Sequence, residues 1–251
     1  MAAEVRIIGL EGMPEVRPGD DLAGLILEAA AGQALAFEPG DVLVVTQKVV
    51  SKAEGRIVDL DDVEPGAFAR QIAERWEKDP RLVEVVLGES ARIVRMDHGV
   101  VICETKHGLI CANAGVDSSN LERLGTVALL PEDPDASAEA IRTRVAEAAA
   151  VSLAVVITDT FGRPWRECHV NFAIGIAGMA PLWDYTGTFD PAGLELKVTQ
   201  MAVADELAAA AELVQGKLDR TPVAVVRGYD CPKGDGSLSD LLRDPEQDMF
   251  R

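Results

Sequence analysis

The chain has 251 residues, 48% of them hydrophobic, and 24 Lys+Arg against 42 Asp+Glu give a formal net charge of −18. At about 150 residues per domain this is one large domain or two small ones, apolar enough to bury a core and too apolar for a disordered chain. The acidity repels nucleic-acid backbones, and no apolar run reaches the roughly 20 residues of a membrane-crossing helix, so neither nucleic acid nor membrane is an expected partner.

Val5–Ile8 reads as a first strand, broken by Glu11-Gly12-Met13-Pro14. Pro18-Gly19-Asp20-Asp21 turns and caps a helix from Leu22 to about Ala31, with Leu22, Leu25, Ile26 and Ala29 on one face. Asp41–Thr46 is a Val-rich strand covered on both sides, followed by a polar stretch from Gln47 to Arg56. Pro65 opens a helix to about Lys78 with Phe68, Ile72 and Trp76 on one side, and Asp79-Pro80 starts another through Leu87. Strands are predicted at Ala91–Met96 and Val100–Thr105, joined by a tight Asp97-His98-Gly99 turn. Asp133-Pro134-Asp135 caps an Ala-rich helix ending near Ala150, Leu153–Thr158 is an apolar strand, and Val198–Val214 is a second Ala-rich helix. Val223–Arg227 is the last strand, and the tail from Gly228 is a surface extension with one short helix at Ser237–Leu242. The pattern is mixed α/β, and neither a P-loop nor a G-x-G-x-x-G fingerprint is present, so a plain Rossmann or P-loop fold is not expected. Met1–Gly12 lacks the apolar core of a signal peptide, which predicts a cytoplasmic protein. Cys103, Cys111, Cys168 and Cys231 form no C-x-x-C pair and read as reduced, partly buried thiols.

Four segments offer chemistry. Ile157-Thr158-Asp159-Thr160-Phe161-Gly162-Arg163 ends an apolar strand in a carboxylate and a hydroxyl, which suits either a hard cation or a capping role. Ala114-Gly115-Val116-Asp117-Ser118-Ser119-Asn120 offers further oxygens, and Asp117 with Asp159 would suit Mg²⁺ or Mn²⁺, while an Asx-turn or N-cap is the plain alternative. Thr46-Gln47-Lys48-Val49-Val50-Ser51-Lys52 places two lysines directly after a buried strand, suited to phosphate or simply to solvent. Met13-Pro14-Glu15-Val16 is, by composition, only a loop. His107 and His169 lack any neighbouring nucleophile pattern and read as structural, and the helix around Met201, Leu207 and Ala210 reads as core or dimer seam.

In order, Gly9-Leu10-Glu11-Gly12-Met13-Pro14-Glu15-Val16, Thr46–Gly55, Ala114–Asn120, Leu129–Asp135, Ile157–Arg163, Ala202–Glu206 and Pro222–Gly228 resemble the coenzyme F420:L-glutamate ligase family (gamma-glutamyl ligases) over nearly the whole chain. The resemblance implies an intertwined two-subdomain α/β monomer in a homodimer, and a reaction adding L-glutamate to the lactyl-phosphate arm of a coenzyme F420 precursor with GTP and a divalent metal. By resemblance, Met13, Pro14, Glu15, Val16, Gln47, Lys48, Lys52 and Asn120 would serve GTP, and Asp117, Asp159 and Thr160 the metals, with Asp117, Asp159 and Lys52 catalytic. Arg163, Arg166, Lys106 and His107 are candidates for the anionic coenzyme. One departure stands out: Lys217 occupies a position where archaeal members are expected to carry a metal-binding glutamine, and a protonated lysine cannot ligate a cation. Some bacterial relatives add a C-terminal flavin-reductase domain, and the expectation here is a single ligase domain over residues 1–251 without it. A metal-dependent phosphatase or nucleotidase, or a non-catalytic nucleotide-binding module, is the rival reading.

Overall fold

The computed structural model describes residues 4–121 and 123–249, so the first residues of the Met1–Gly12 segment and the chain end at Arg251 lie outside the described residues. In chain order the elements are β1 (Arg6–Gly9), α1 (Leu22–Gly32), β2 (Val42–Thr46), α2 (Gln47–Ala53), β3 (Ile57–Asp59), α3 (Ala67–Trp76), α4 (Pro80–Gly88), β4 (Ser90–Asp97), β5 (Val100–Thr105) and β6 (Ile110–Ala112). Then follow β7 (Thr126–Ala128), α5 (Pro134–Ala149), β8 (Ala154–Arg163), β9 (Arg166–Ala177), β10 (Trp183–Asp184), β11 (Gln200–Met201), α6 (Val203–Gln215) and β12 (Val223–Arg227). The fold is mixed α/β.

A five-stranded sheet in the order β1-β12-β2-β8-β9 forms the centre. Strict alternation divides its valines between two faces. Leu43, Val45, Val155, Ile157, Val223 and Val225 pack with Ile26 of α1 and with Ile141 and Val145 of α5. Val42, Val44, Val156, Ala224 and Val226 pack with Val203, Ala204, Leu207 and Ala211 of α6. Each fully buried Val, Leu or Ile contributes about 1.5–3 kcal/mol, so burial on both faces is what makes these strands continuous apolar runs. Elsewhere, α3 and α4 and the three-stranded sheet β4-β5-β6 gather around their own small apolar clusters.

The caps are as the sequence predicts: Asp21 accepts from the Gly24 N–H at 3.0 Å, and Asp133 from the Ala136 N–H at 3.0 Å. The β4–β5 turn places His98 and Gly99 at φ 47° and 75°, as a tight hairpin needs.

Several expectations are corrected. The polar stretch after β2 is helix α2, with Lys48 and Lys52 one turn apart. In α3 the buried residues are Ala69, Ile72 and Ala73, while Phe68 is exposed. The second Ala-rich helix begins at Val203 rather than Val198, because Gln200 and Met201 pair with Asp184 and Trp183. Met201 is accordingly exposed, whereas Leu207 is core. Residues 237–242 hold a single 3₁₀ turn, Leu238–Asp240, with Leu238 buried and its N–H donated to Asp135. Strand β8 continues five residues past Thr158 and pairs with a strand, β9, that the sequence did not announce. Of the thiols, Cys103 and Cys111 are buried opposite one another on β5 and β6, Cys231 is half-buried and Cys168 is exposed.

Candidate active site

The site is built where strands end. β2 and β8 run parallel with Thr46 opposite Thr158, so Gln47 and Lys48 emerge beside Asp159 and Thr160. β12 is antiparallel to β2 with Val223 opposite Val45, which brings residues 216–222 to the same edge. β1 ends there too, with Gly9 opposite Ala224, and Met13–Val16 follow it. Ligands of α/β sheets bind outside the carboxyl ends of such strands.

A cavity of about 710 Å³ opens at this edge. Met13, Pro14, Glu15, Val16, Gln47, Lys48, Lys52, Asp117, Asn120, Asp159 and Thr160 all line it. Asp117 arrives from elsewhere: its backbone pairs with Ala128 of β7, and the left-handed Asn113, Ala114 and Gly115 turn the chain into place.

Charge is matched closely. The Lys48 ammonium donates to Asp117 Oδ2 at 2.5 Å and to Ser119 O and Oγ at 2.6 and 2.8 Å. Lys52, one turn on, is paired with Glu15 and donates to Asn120 O at 3.0 Å. α2 is itself anchored by buried Gln47, whose Oε1 accepts from Ser51 Oγ at 2.8 Å. Burial pushes the Asp117 carboxyl up, but the Lys48 ammonium and the Ser119 N–H and hydroxyl outweigh it, and it titrates below the ordinary carboxylate value. Asp159 goes the other way. Burial raises it to about 7, the nearby Asp117 charge adds to the rise, and the Thr160 N–H, Lys217 and Lys48 only partly oppose it. Cys111 is close enough to Asp159 to feel it and, chiefly through burial, is pushed up to about 12, so its thiol stays protonated.

Thr160 follows Asp159 on β8, and both line the cavity. Its hydroxyl donates to Asn171 Oδ1 at 2.7 Å and accepts from Lys217 Nζ at 2.6 Å. Asn171 Nδ2 in turn donates to Glu212 Oε2 of α6 at 2.9 Å. Phe161 of the Ile157–Arg163 segment lines the cavity, as does His169, which the sequence reads as structural, while Asn171, Glu212 and Arg220 line it with no local sequence signal of a site. The Gly162–Trp165 turn, with its Gly and Pro, is the one signal that would have paired Thr160 with Asn171. Arg163, Arg166, Lys106 and His107 do not line the cavity. Arg163 and Arg166 pair at the tip of the β8–β9 arm, Lys106 binds Glu89 at 3.2 Å, and His107 Nε2 lies 2.9 Å from Pro131 O.

A family model described as F420-0:gamma-glutamyl ligase matches residues 12–228. The coenzyme F420:L-glutamate ligase of Methanothermobacter thermautotrophicus is 48% identical over 250 residues, covering 98% of this chain and 99% of the relative. Those of Methanopyrus kandleri and Methanocaldococcus jannaschii are 48% and 40% identical, covering 94% and 99% of this chain and 94% and 97% of the relatives. With the match spanning the strand ends that build the cavity, the chain belongs to the F420-0:gamma-glutamyl ligase family.

Proposed function

We propose that this protein joins L-glutamate through an amide bond to a coenzyme F420 precursor, consuming GTP with a divalent cation. The observation that carries the reading is the meeting of Asp117 and Asp159, 42 residues apart along the chain, with Lys48 and Lys52 in one cavity of a chain whose relatives bear the ligase name. The donor set suits Mg²⁺ or Mn²⁺: few carboxylates, oxygen ligands, and room for water and phosphate to complete the shell. Asp117 and Asp159 would hold the cation, with Thr160 beside them, and its charge would be spread over phosphate oxygens. Burial, with a smaller contribution from the Asp117 charge, raises Asp159 to about 7, and a cation bound beside it would relieve both.

A carboxylate is a poor electrophile. In the proposed route the precursor's carboxylate oxygen attacks the γ-phosphorus of GTP, the bond to the β-phosphate oxygen breaks, and GDP leaves an acyl phosphate. The neutral amine of L-glutamate then attacks the acyl carbon, the acyl C–O bond breaks, and phosphate departs with the proton the amine gives up. The chain supplies position and fixed charge: Met13–Val16, Gln47, Lys48, Lys52 and Asn120 would cradle the nucleotide, and pre-organised cations of this kind are usually the largest catalytic contribution. No protein nucleophile is needed.

Thermal unfolding tests the cation and nucleotide roles. Mn²⁺ with GTP is expected to raise the midpoint of the wild-type chain, and Asp117→Asn or Asp159→Asn to lose that rise. An unaltered rise in both variants would remove the two aspartates from the site. A phosphatase would release phosphate from GTP without either acceptor, and a binding module would never form GDP.

A further inference from the structure

Cys103 of β5 and Cys111 of β6 stand directly opposite one another, and the chemistry proposed above uses neither. Opposed residues of antiparallel strands point to the same face, so both thiols lie on the buried side of the three-stranded sheet. Cys103 is fully buried and Cys111 nearly so, and the two are close enough for Cys103 to add to the rise of the Cys111 thiol.

The same face carries the turn that delivers Asp117. The Ala114 N–H favours charge on the Cys103 sulfur and the Gly115 N–H on the Cys111 sulfur, so each sulfur faces one amide of the turn. Ala114 and Gly115 are left-handed residues of the Asn113–Gly115 turn, and Asp117 follows two residues on. Gly115 lines the cavity, and Asp159 is near enough to act on the Cys111 thiol.

Spacing sets what a bond between the sulfurs would do. Directly opposed residues have Cα atoms about 4.5–5.5 Å apart, inside the span a disulfide tolerates. Their Cβ atoms are also about 4.5–5.5 Å apart, whereas a disulfide holds them at about 3.5–4.5 Å. Closing the bond draws β6 toward β5 by about 1 Å, and the amides that face the sulfurs must follow. β6 gives way most readily: it has three residues, lies at the sheet edge, and exposes Ile110 and Ala112. Segments with so few buried contacts open locally, which lets a reagent reach thiols that the closed strand buries.

We propose that Cys103 and Cys111 are a reversible dithiol–disulfide switch, in which exchange with a small-molecule disulfide joins the two sulfurs and shifts the turn that carries Asp117. In the opened strand one thiol loses its proton to water, and its sulfur attacks the reagent's S–S bond. One reagent thiolate leaves and takes up a proton. The second protein thiolate, formed in the same way, attacks the mixed disulfide at the protein sulfur and releases the second reagent thiol. Two protein thiols are oxidised, and one reagent disulfide is reduced to two thiols. A bond closed under strain is reduced readily, so the switch runs both ways. Its consequence for cation binding rests on the function proposed above, whereas the bond and the shift of the turn do not.

The test incubates the whole chain with glutathione disulfide, alkylates it and maps its peptides by mass spectrometry. Exposed Cys168 taking up glutathione shows that the reagent was active. A linked Cys103–Cys111 peptide is expected, and dithiothreitol is expected to remove it. Hydrogen exchange over residues 112–119, measured without ligand, is expected to quicken several-fold in the linked chain and to recover on reduction. Mn²⁺ affinity is expected to fall on the order of tenfold with it. Cys103→Ala and Cys111→Ala are each expected to abolish the link and to leave exchange indifferent to the reagent. Both thiols remaining alkylatable while Cys168 is modified would overturn the proposal, as would a linked chain whose exchange does not quicken. Exchange that responds while Mn²⁺ binds neither form would uphold the switch and count against the cation reading alone.

Discussion

Asp159 is a carboxylate that burial perturbs strongly. Its carboxyl is raised to about 7, first by burial and then by Asp117, in a cavity edge that also holds Lys48 and Lys217. An ordinary aspartate in the unfolded chain ionises near pH 4. Between about pH 4 and pH 7 the folded state therefore holds a proton that the unfolded state has released, so stability falls as pH rises through that window and levels above it. In chelator-treated protein, Asp159→Asn removes this penalty. Its melting midpoint is expected to match wild type near pH 4 and to exceed it by a few degrees at pH 8. A gap that narrows with rising pH would show that Asp159 is not the strained group. The same residue scale shows what the sequence can reveal. Asp117, Asp159, Lys48 and Lys52 sit at visible punctuation, where an apolar run stops or a glycine turns the chain, and all four line the cavity. Asn171 and Glu212 line it equally, but one lies where β9 passes from its exposed to its buried half and the other in an Ala-rich helix, so only pairing at long range brings them to the site.

At the scale of elements, the β8–β9 hairpin carries Asp159, Thr160, His169 and Asn171 of the site and is its least legible part. Inside the sheet its residues are apolar on both faces. Past Thr158 there is no β2 to cover it, and from Arg166 to His169 the partner strand reads as polar. The pairing skips Ile174 opposite Ile157 and Thr158, a β-bulge at the point where β2 ends. Helix α2 was hidden for a related reason: seven residues with buried Gln47, Val50 and Ser51 are too short to show a helical period. Gly175 holds this layer together, because a Cβ there would lie 2.4 Å from the Pro134 carbonyl oxygen at the start of α5. Gly175→Ala is expected to cost about 1–3 kcal/mol, read as a lower urea midpoint with an unchanged slope. A variant as stable as wild type would mean that α5 is not seated on β9 as described.

At the scale of the molecule, one sheet edge gathers residues from five distant parts of the chain. The ends of β1, β2 and β8 and the start of β12 meet there, and the β7-paired loop adds Asp117. That convergence explains why short segments scattered from Met13 to Pro222 form one cavity. It also bears on how an acidic chain could receive the proposed anionic substrates: Lys48, Lys52, Lys217 and Arg220 line this cavity, and the first two are paired with carboxylates. Among the described residues no helix is long and apolar enough to cross a membrane. In the proposed chemistry the two aspartates and this edge together drive amide formation. Mass spectrometry of the coenzyme precursor incubated with the protein, L-glutamate, GTP and Mn²⁺ tests it most directly. Product heavier by one glutamyl unit per addition is expected, with one GDP formed for each, and neither product from Asp159→Asn. GDP formed at the same rate without glutamate or precursor, with the coenzyme mass unchanged, would contradict it.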